Sequence, residues 1–181
     1  MITYGQLLNL KGTTRKRFWY IYGTDPALIQ DSIELAKDHV HSSITSVYTE
    51  IFFGSPSVHQ DIALFLETPY FDERKLAIVY ESEKIKNWRF VTEALEKSDA
   101  STFIVFISGD APDPEDESKY LFTNNKLGRV VKCGKLDDKT VKKWIRSRLS
   151  ISDTAINNLL SKYNNDNEWL LNKIRILELD E

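Results

Sequence analysis

Cysteine is almost absent from this chain of 181 residues, since Cys133 is the only one. A single cysteine excludes an internal disulfide and favours a reducing compartment. Long apolar runs are also lacking, because no stretch approaches the roughly 18 residues of a membrane-spanning helix. The first residues do not combine the basic and apolar regions of a secretory signal. The sequence therefore predicts a cytoplasmic protein with no membrane partner.

An excess of charge of one sign is missing as well. The chain has 24 Lys and Arg against 27 Asp and Glu, which gives a net charge of -3 and no overall attraction to nucleic acid. Its three histidines, His39, His41 and His59, do not form the closely spaced cluster that a metal site needs. We therefore predict no metal and no cofactor, and a structural role for each histidine.

Strand and helix patterns alternate along most of the chain, which predicts an α/β fold with a five-stranded parallel sheet. Beyond residue 135 the pattern changes to three short amphipathic helices, which predict a small helical bundle. The expected domains are therefore residues 1–135 and 136–181. The predicted strands lie at 18–22, 46–53, 76–80, 102–107 and 129–133.

The turn after the first predicted strand has the layout of a nucleotide-binding P-loop without its chemistry. A P-loop needs several glycines, a Lys for the phosphates and a Ser or Thr for magnesium. Here Gly23 is followed by Thr24, Asp25 and Pro26 with no Lys, and Asp25 points a negative charge at the place where an anion would sit. Pro26 also removes one backbone N–H donor. Only Glu81 follows the third strand, where an ATPase would carry an acidic pair, so no hydrolysis is predicted.

A second distinctive segment, residues 68–75, lies between a predicted helix and the third strand. Tyr70 and Phe71 follow a proline and precede four charged residues. One interpretation is that both rings close the local core. The other is that they form an exposed pair that inserts into an apolar pocket of a partner, because such anchors carry most of the energy of small interfaces.

Taken together, these segments resemble the delta-subunit family of the bacterial DNA polymerase III clamp loader. No single segment is specific, and the combination carries the resemblance. It implies an AAA+/RecA-like sheet without a working P-loop, a C-terminal lid of three helices, and no ATPase activity of its own. The matching segments are 20–29 (YIYGTDPALI), 68–79 (TPYFDERKLAIV), 101–106 (STFIVF), 141–145 (VKKWI) and 170–177 (LLNKIRIL).

The resemblance also implies a partner, the ring-shaped beta-type sliding clamp that the family binds and opens. The family's clamp contact, usually Leu-Phe, maps onto Tyr70 and Phe71, with Asp72, Glu73 and Arg74 as rim residues. Tyr70 departs from the usual aliphatic residue. The family also continues into a C-terminal collar domain that joins the other loader subunits. The chain is thus expected to be a fragment or a compact, phage-type relative, and a monomer when isolated.

The alternative function is DNA binding or scaffolding on a degenerate P-loop fold. Lys139, Lys142, Lys143 and Arg146 fall on one side of a predicted helix, where they could meet the phosphates of a primer–template. A solvated helix face explains the same pattern, and a nearby acidic segment at 113–117 would offset the positive field. Both interpretations stay open at this stage.

Overall fold

The computed structural model describes residues 1–8, 16–41, 46–69, 74–112 and 128–179. Within these ranges, six strands alternate with seven α-helices. The strands are β1 (Ile2–Thr3), β2 (Phe18–Gly23), β3 (Val47–Phe53), β4 (Arg74–Tyr80), β5 (Thr102–Ser108) and β6 (Gly128–Cys133). The helices are α1 (Tyr4–Leu7), α2 (Pro26–His41), α3 (His59–Glu67), α4 (Trp88–Lys97), α5 (Asp138–Arg148), α6 (Asp153–Tyr163) and α7 (Asn167–Leu179), with a short 3-10 helix at Ser82–Lys84.

All six strands run parallel in one sheet, in the order β1-β6-β2-β5-β4-β3. The predicted α/β class is confirmed, whereas the predicted count of five strands is wrong. The strand that was missed is β1, in which Ile2 and Thr3 pair with Val131 and Lys132 of β6. Two residues are too few to show the alternation by which a strand is detected in a sequence.

Helices cover both faces of the sheet, which explains why the central strands are apolar throughout. In β4, Leu76 and Ile78 belong to the hydrophobic cluster formed with α1, α2 and α5 to α7. The alternate residues, Ala77 and Val79, belong to the cluster formed with α3 and α4. The three C-terminal helices therefore share a core with α2 on one face of the sheet.

The starts of α2, α5 and α6 lie where the capping residues predict them. The side chains of Asp25, Asp137 and Ser152 accept hydrogen bonds from backbone N–H groups in the first turns of these helices, as good N-caps do. The sequence pattern also predicts a short helix between β5 and β6, and this prediction falls at residues outside the described ranges. A domain boundary at 135/136 stays a prediction.

The order of the strands indicates that the carboxyl end of β2 is the position for a site. The chain leaves β2 to one face of the sheet through α2, and leaves β3 and β4 to the other face through α3 and α4. Ligands of open α/β sheets bind at such a switch point, outside the carboxyl ends of the strands. No helix in the described part of the chain is long and apolar enough to cross a bilayer.

Candidate functional site at the carboxyl end of the central strand

The turn after β2 is a tight backbone junction between β2 and β6. Gly23 has a φ of +144°, a conformation that glycine adopts readily and other residues rarely do. A Cβ atom at Gly23 would lie 1.8 Å from the carbonyl oxygen of Cys133, at the end of β6. The glycine is therefore required by the packing of the protein's own backbone, rather than by the approach of a phosphate.

The positive end of α2, which binds phosphate in a P-loop, is filled by Asp25. One carboxylate oxygen, Oδ1, accepts a hydrogen bond from the backbone N–H of Leu28 at 3.1 Å. The backbone carbonyl of Asp25 accepts from the N–H of Ile29 at 3.1 Å, and Pro26 has no N–H to offer. An internal carboxylate thus takes the N–H of Leu28 and the favourable helix dipole that an anionic ligand would use.

Asp25 also ties this turn to the C-terminal helices. Its second carboxylate oxygen, Oδ2, accepts a hydrogen bond from the side-chain amide of Asn167 at 2.5 Å. Asn167 is buried at the start of α7, and its Oδ1 accepts from the hydroxyl of Tyr163. A continuous chain of hydrogen bonds therefore runs from α2 to the α6–α7 junction across the end of β2.

A second polar link lies along α2 and joins four helices. The carboxylate of Asp31, which is buried, accepts hydrogen bonds from the hydroxyl of Tyr4 and from the guanidinium of Arg148, the latter at 2.5 Å. Arg148 also lies 3.9 Å from a carboxylate oxygen of Glu178 on α7. Burial and the neighbouring Asp31 raise the pKa of Tyr4. These contacts hold α1, α5 and α7 against α2.

Carboxylates also lie beside the carboxyl ends of β4 and β5 in the described part of the chain. Glu81, the one carboxylate directly after β4, adopts a left-handed backbone conformation (φ 53°) and forms an ion pair with Lys84 at 2.6 Å. At the end of β5, the backbone N–H of Gly109 donates to Glu83 at 3.4 Å. Both carboxylates have partners within the described part of the chain. The absence of ATP hydrolysis stays a prediction.

The predicted clamp contact has its first four residues, 70–73, outside the described part of the chain. Helix α3 precedes this segment and β4 follows it. Lys75, a buried residue of β4, connects the two elements. Its ammonium group donates to the backbone carbonyls of Phe65, Leu66 and Thr68 at the end of α3. Lys75 therefore caps α3 and fixes the end of this helix against β4.

Arg74, the fifth predicted contact residue, is half-buried at the start of β4. Its guanidinium donates to the backbone carbonyl of Val40 at 2.6 Å and lies 5.6 Å from the centre of the Phe103 ring. The side chain thus joins the end of α2 to the sheet. That Arg74 lies at the rim of the clamp contact stays a prediction from the family resemblance.

The four basic residues of the DNA hypothesis all lie on α5. Lys139 and Arg146 are exposed, while Lys142 and Lys143 are half-buried. Arg146 forms an ion pair with Asp153 at 2.7 Å, and Asp137 and Asp138 begin the same helix. The carboxylates beside these cations reduce the positive potential that DNA phosphates would meet.

The histidines and the cysteine occupy separate environments. His39 packs between the rings of Trp19 and Phe103, and burial lowers its pKa. His59 contacts the backbone carbonyl of Pro56 at 3.0 Å. Cys133 is buried, and burial raises the pKa of its thiol to about 12. No group of three or more potential metal ligands occurs in the described ranges.

Three side chains that make these structural contacts, Asp31, Lys75 and Asn167, were not identified from the sequence. Asp31 lies three residues after Leu28 and four before Leu35, so its place on the buried helix face could have been read from spacing. Lys75 directly precedes the predicted apolar strand at 76–80, which indicates that the aliphatic part of its side chain is buried. Asn167 carries no comparable signal, because its partner, Asp25, is 142 residues away in sequence.

Comparisons with known proteins provide little further information. No family model matches the chain, and no curated protein matches it. Among solved structures, the chain is similar to RIF2 of Saccharomyces cerevisiae, with a TM-score of 0.40 and 14% sequence identity. The match covers 91% of this chain and 70% of that one. A likeness this weak carries no argument about function.

Proposed function

We propose that this chain is a non-catalytic, AAA+-like protein that binds the beta-type sliding clamp of DNA replication and helps to open the ring. The observation that carries the proposal is the filled turn after β2. Asp25 occupies the end of α2 at which a phosphate would bind, and it is held there by Asn167. A P-loop-like scaffold whose phosphate position is filled from within suits a subunit that handles the clamp without hydrolysing nucleotide.

The proposed clamp contact is the pair Tyr70 and Phe71. The segment that carries them begins at the capped end of α3 and ends at β4, and Lys75 bonds these two elements together. An anchor whose ends are already fixed loses less conformational entropy on binding than a free loop does. Asp72 and Glu73 would act at the rim, where charges set orientation and association rate rather than affinity.

The proposed mechanism of opening is differential binding. If the protein fits the clamp better with one ring interface relaxed than with the ring closed, binding shifts the ring towards its open form. No hydrolysis is needed for this step. Other loader subunits are proposed as further partners, and the isolated chain is expected to be a monomer.

The proposal is tested by replacing Tyr70 and Phe71 together by Ala. We expect clamp binding to weaken at least about 100-fold, because truncated aromatic hot spots each cost about 2 kcal/mol or more. Binding is measured by surface plasmon resonance over an immobilised beta-type sliding clamp. The melting temperature should stay within a few degrees, since exposed anchors contribute little to folding.

The matched control is Phe90→Ala, which removes an exposed aromatic side chain of α4 and should leave clamp binding unchanged. Unchanged binding by the double variant would contradict the proposed contact. A large fall in its melting temperature would show instead that both rings belong to the core, because a buried aromatic truncated to Ala costs roughly 3–5 kcal/mol.

A second expectation concerns nucleotide. Titration of the chain with magnesium and ATP in a calorimeter should give no binding heat above dilution. Asp25 takes the N–H of Leu28 at the start of α2 and places a negative charge where the phosphates would lie. Micromolar binding would contradict this expectation and support a nucleotide enzyme.

DNA binding through α5 is the alternative function. The pairing of Arg146 with Asp153 does not favour it, because that cation is already neutralised by a neighbour. Retention on DNA that falls steeply with salt would support this alternative. Retention on the clamp at moderate salt would support the proposed function.

A further inference from the structure

The sheet has one long edge, which is β3. In the described part of the chain, all seven residues of β3 pair with β4 in continuous register, and no strand lies on the other side. The opposite edge, β1, is only two residues long. Natural edge strands are usually short, bulged or marked by Lys or Pro. Residues Val47–Phe53 pair with β4 without a bulge and contain neither Lys nor Pro, and Glu50 is their one charged residue.

Apolar side chains are exposed along this edge. Ile51 and Phe53 are 54% and 66% exposed, and Leu64 on the adjacent helix α3 is 68% exposed. Strand residues alternate between the two faces of a sheet, so Ile51 and Phe53 share one face. Exposed apolar side chains that lie together on one element indicate an interaction surface rather than a solvated one.

The other face of β3 forms a groove with α3, and this groove is acidic. It has a volume of about 490 Å³ and is lined in part by Glu50, Asp61 and Leu64. The one cation among its described lining residues, Lys75, is buried and bonded to the carbonyls at the end of α3. The groove therefore favours a positively charged occupant.

A second β3 strand brings no positive charge to this groove in any register, because its one charged residue is Glu50. Two β3 strands that pair antiparallel about their central residue place Glu50 opposite Glu50, and like charges directly opposite each other are destabilising. A partner strand with a basic side chain at this position instead forms an opposite-charge pair. The charge of the edge thus distinguishes a foreign segment from self-association.

We propose that β3 accepts an extended segment of a partner protein as an additional strand of the sheet, with basic side chains towards Glu50 and apolar side chains towards Ile51 and Phe53. Backbone hydrogen bonds to the edge supply affinity, and alternate side chains supply specificity, as in other cases of strand addition. The edge residues named here differ from Tyr70 and Phe71 of the clamp proposal, although Thr68 and Lys75, on either side of that pair, also line the groove.

The test uses an eight-residue peptide of alternating Lys and Val, blocked at both ends and labelled for fluorescence anisotropy. We expect saturable binding to the full chain and slower amide hydrogen exchange in residues 47–53 when the peptide is bound. A peptide with Glu in place of every Lys should bind at least tenfold more weakly.

The matched pair of variants is Glu50→Lys and Glu96→Lys, which change the net charge equally. Glu96 lies exposed on α4, away from β3. Glu50→Lys should weaken peptide binding at least tenfold, and Glu96→Lys should not. A further variant, Ile51→Lys, tests the apolar face of β3. Melting curves of all three variants confirm that they are folded.

Three outcomes would overturn the proposal. The first is no binding at millimolar peptide, and the second is binding without protection of residues 47–53. The third is concentration-dependent dimerisation of the chain without peptide, accompanied by protection of residues 47–53, which would make a second copy the occupant. Equal weakening by Glu50→Lys and Glu96→Lys would also count against it, because it would indicate general charge attraction.

Discussion

Replacing Arg148 by Met is expected to destabilise the protein by about 3–5 kcal/mol, the range found when one partner of a buried ion pair is removed. Asp31 is almost completely buried, so without the guanidinium its charge keeps only the hydroxyl of Tyr4 as a partner among the described residues. Urea denaturation followed by circular dichroism measures the change in the free energy of unfolding.

The control for this variant lies on the same helix. Arg146→Met removes an arginine whose ion pair with Asp153 is exposed, and such pairs contribute little. Its unfolding midpoint should not differ from that of the parent beyond error. The double variant Asp31→Asn, Arg148→Met should recover part of the loss, because no unpaired charge then stays buried. Equal effects of both single variants would contradict the network.

Gly23→Ala is expected to cost about 4 kcal/mol or to prevent folding, which places it among the most severe single substitutions. A Cβ atom would lie 1.8 Å from the carbonyl oxygen of Cys133, and the φ of +144° is unfavourable for alanine. Relief requires β6 to move away from β2. Thermal unfolding and the yield of folded protein measure the effect.

Gly109→Ala is the matched control, because nothing lies within 4 Å of a Cβ atom placed there. It should unfold within a degree or two of the parent. A Gly23→Ala variant as stable as the parent would show that the turn and β6 are not in close contact. Close packing of the two backbones would then not be the reason for a glycine at this position.

The parts of the fold that could be predicted are those governed by local chemistry. Asp25 and Pro26 specify the start of α2, because a capping carboxylate and a fixed φ act within one turn. The apolar runs of β2, β4 and β5 indicate strands that are covered on both faces. In the structure, helices cover both faces of these strands. The predicted roles of Tyr70 and Phe71 stay predictions, since both residues lie outside the described ranges.

The parts that could not be predicted depend on residues that are far apart in the sequence. The bond between Asp25 and Asn167 joins residues 142 apart, and the bond between Asp31 and Arg148 joins residues 117 apart. Neither pair has a periodic signature. The sequence therefore placed Asp25 at the start of α2, but it did not indicate that Asn167 holds the carboxylate there.

The carboxylate of Asp25 also has a consequence for control. A bound phosphate dissociates when its concentration falls, whereas a side chain of the same molecule has a fixed effective concentration at the α2 terminus. The contact between Asp25 and Asn167 is therefore independent of the energy state of the cell. Under the proposed function, the amount of protein present and the availability of its partner therefore set when it acts.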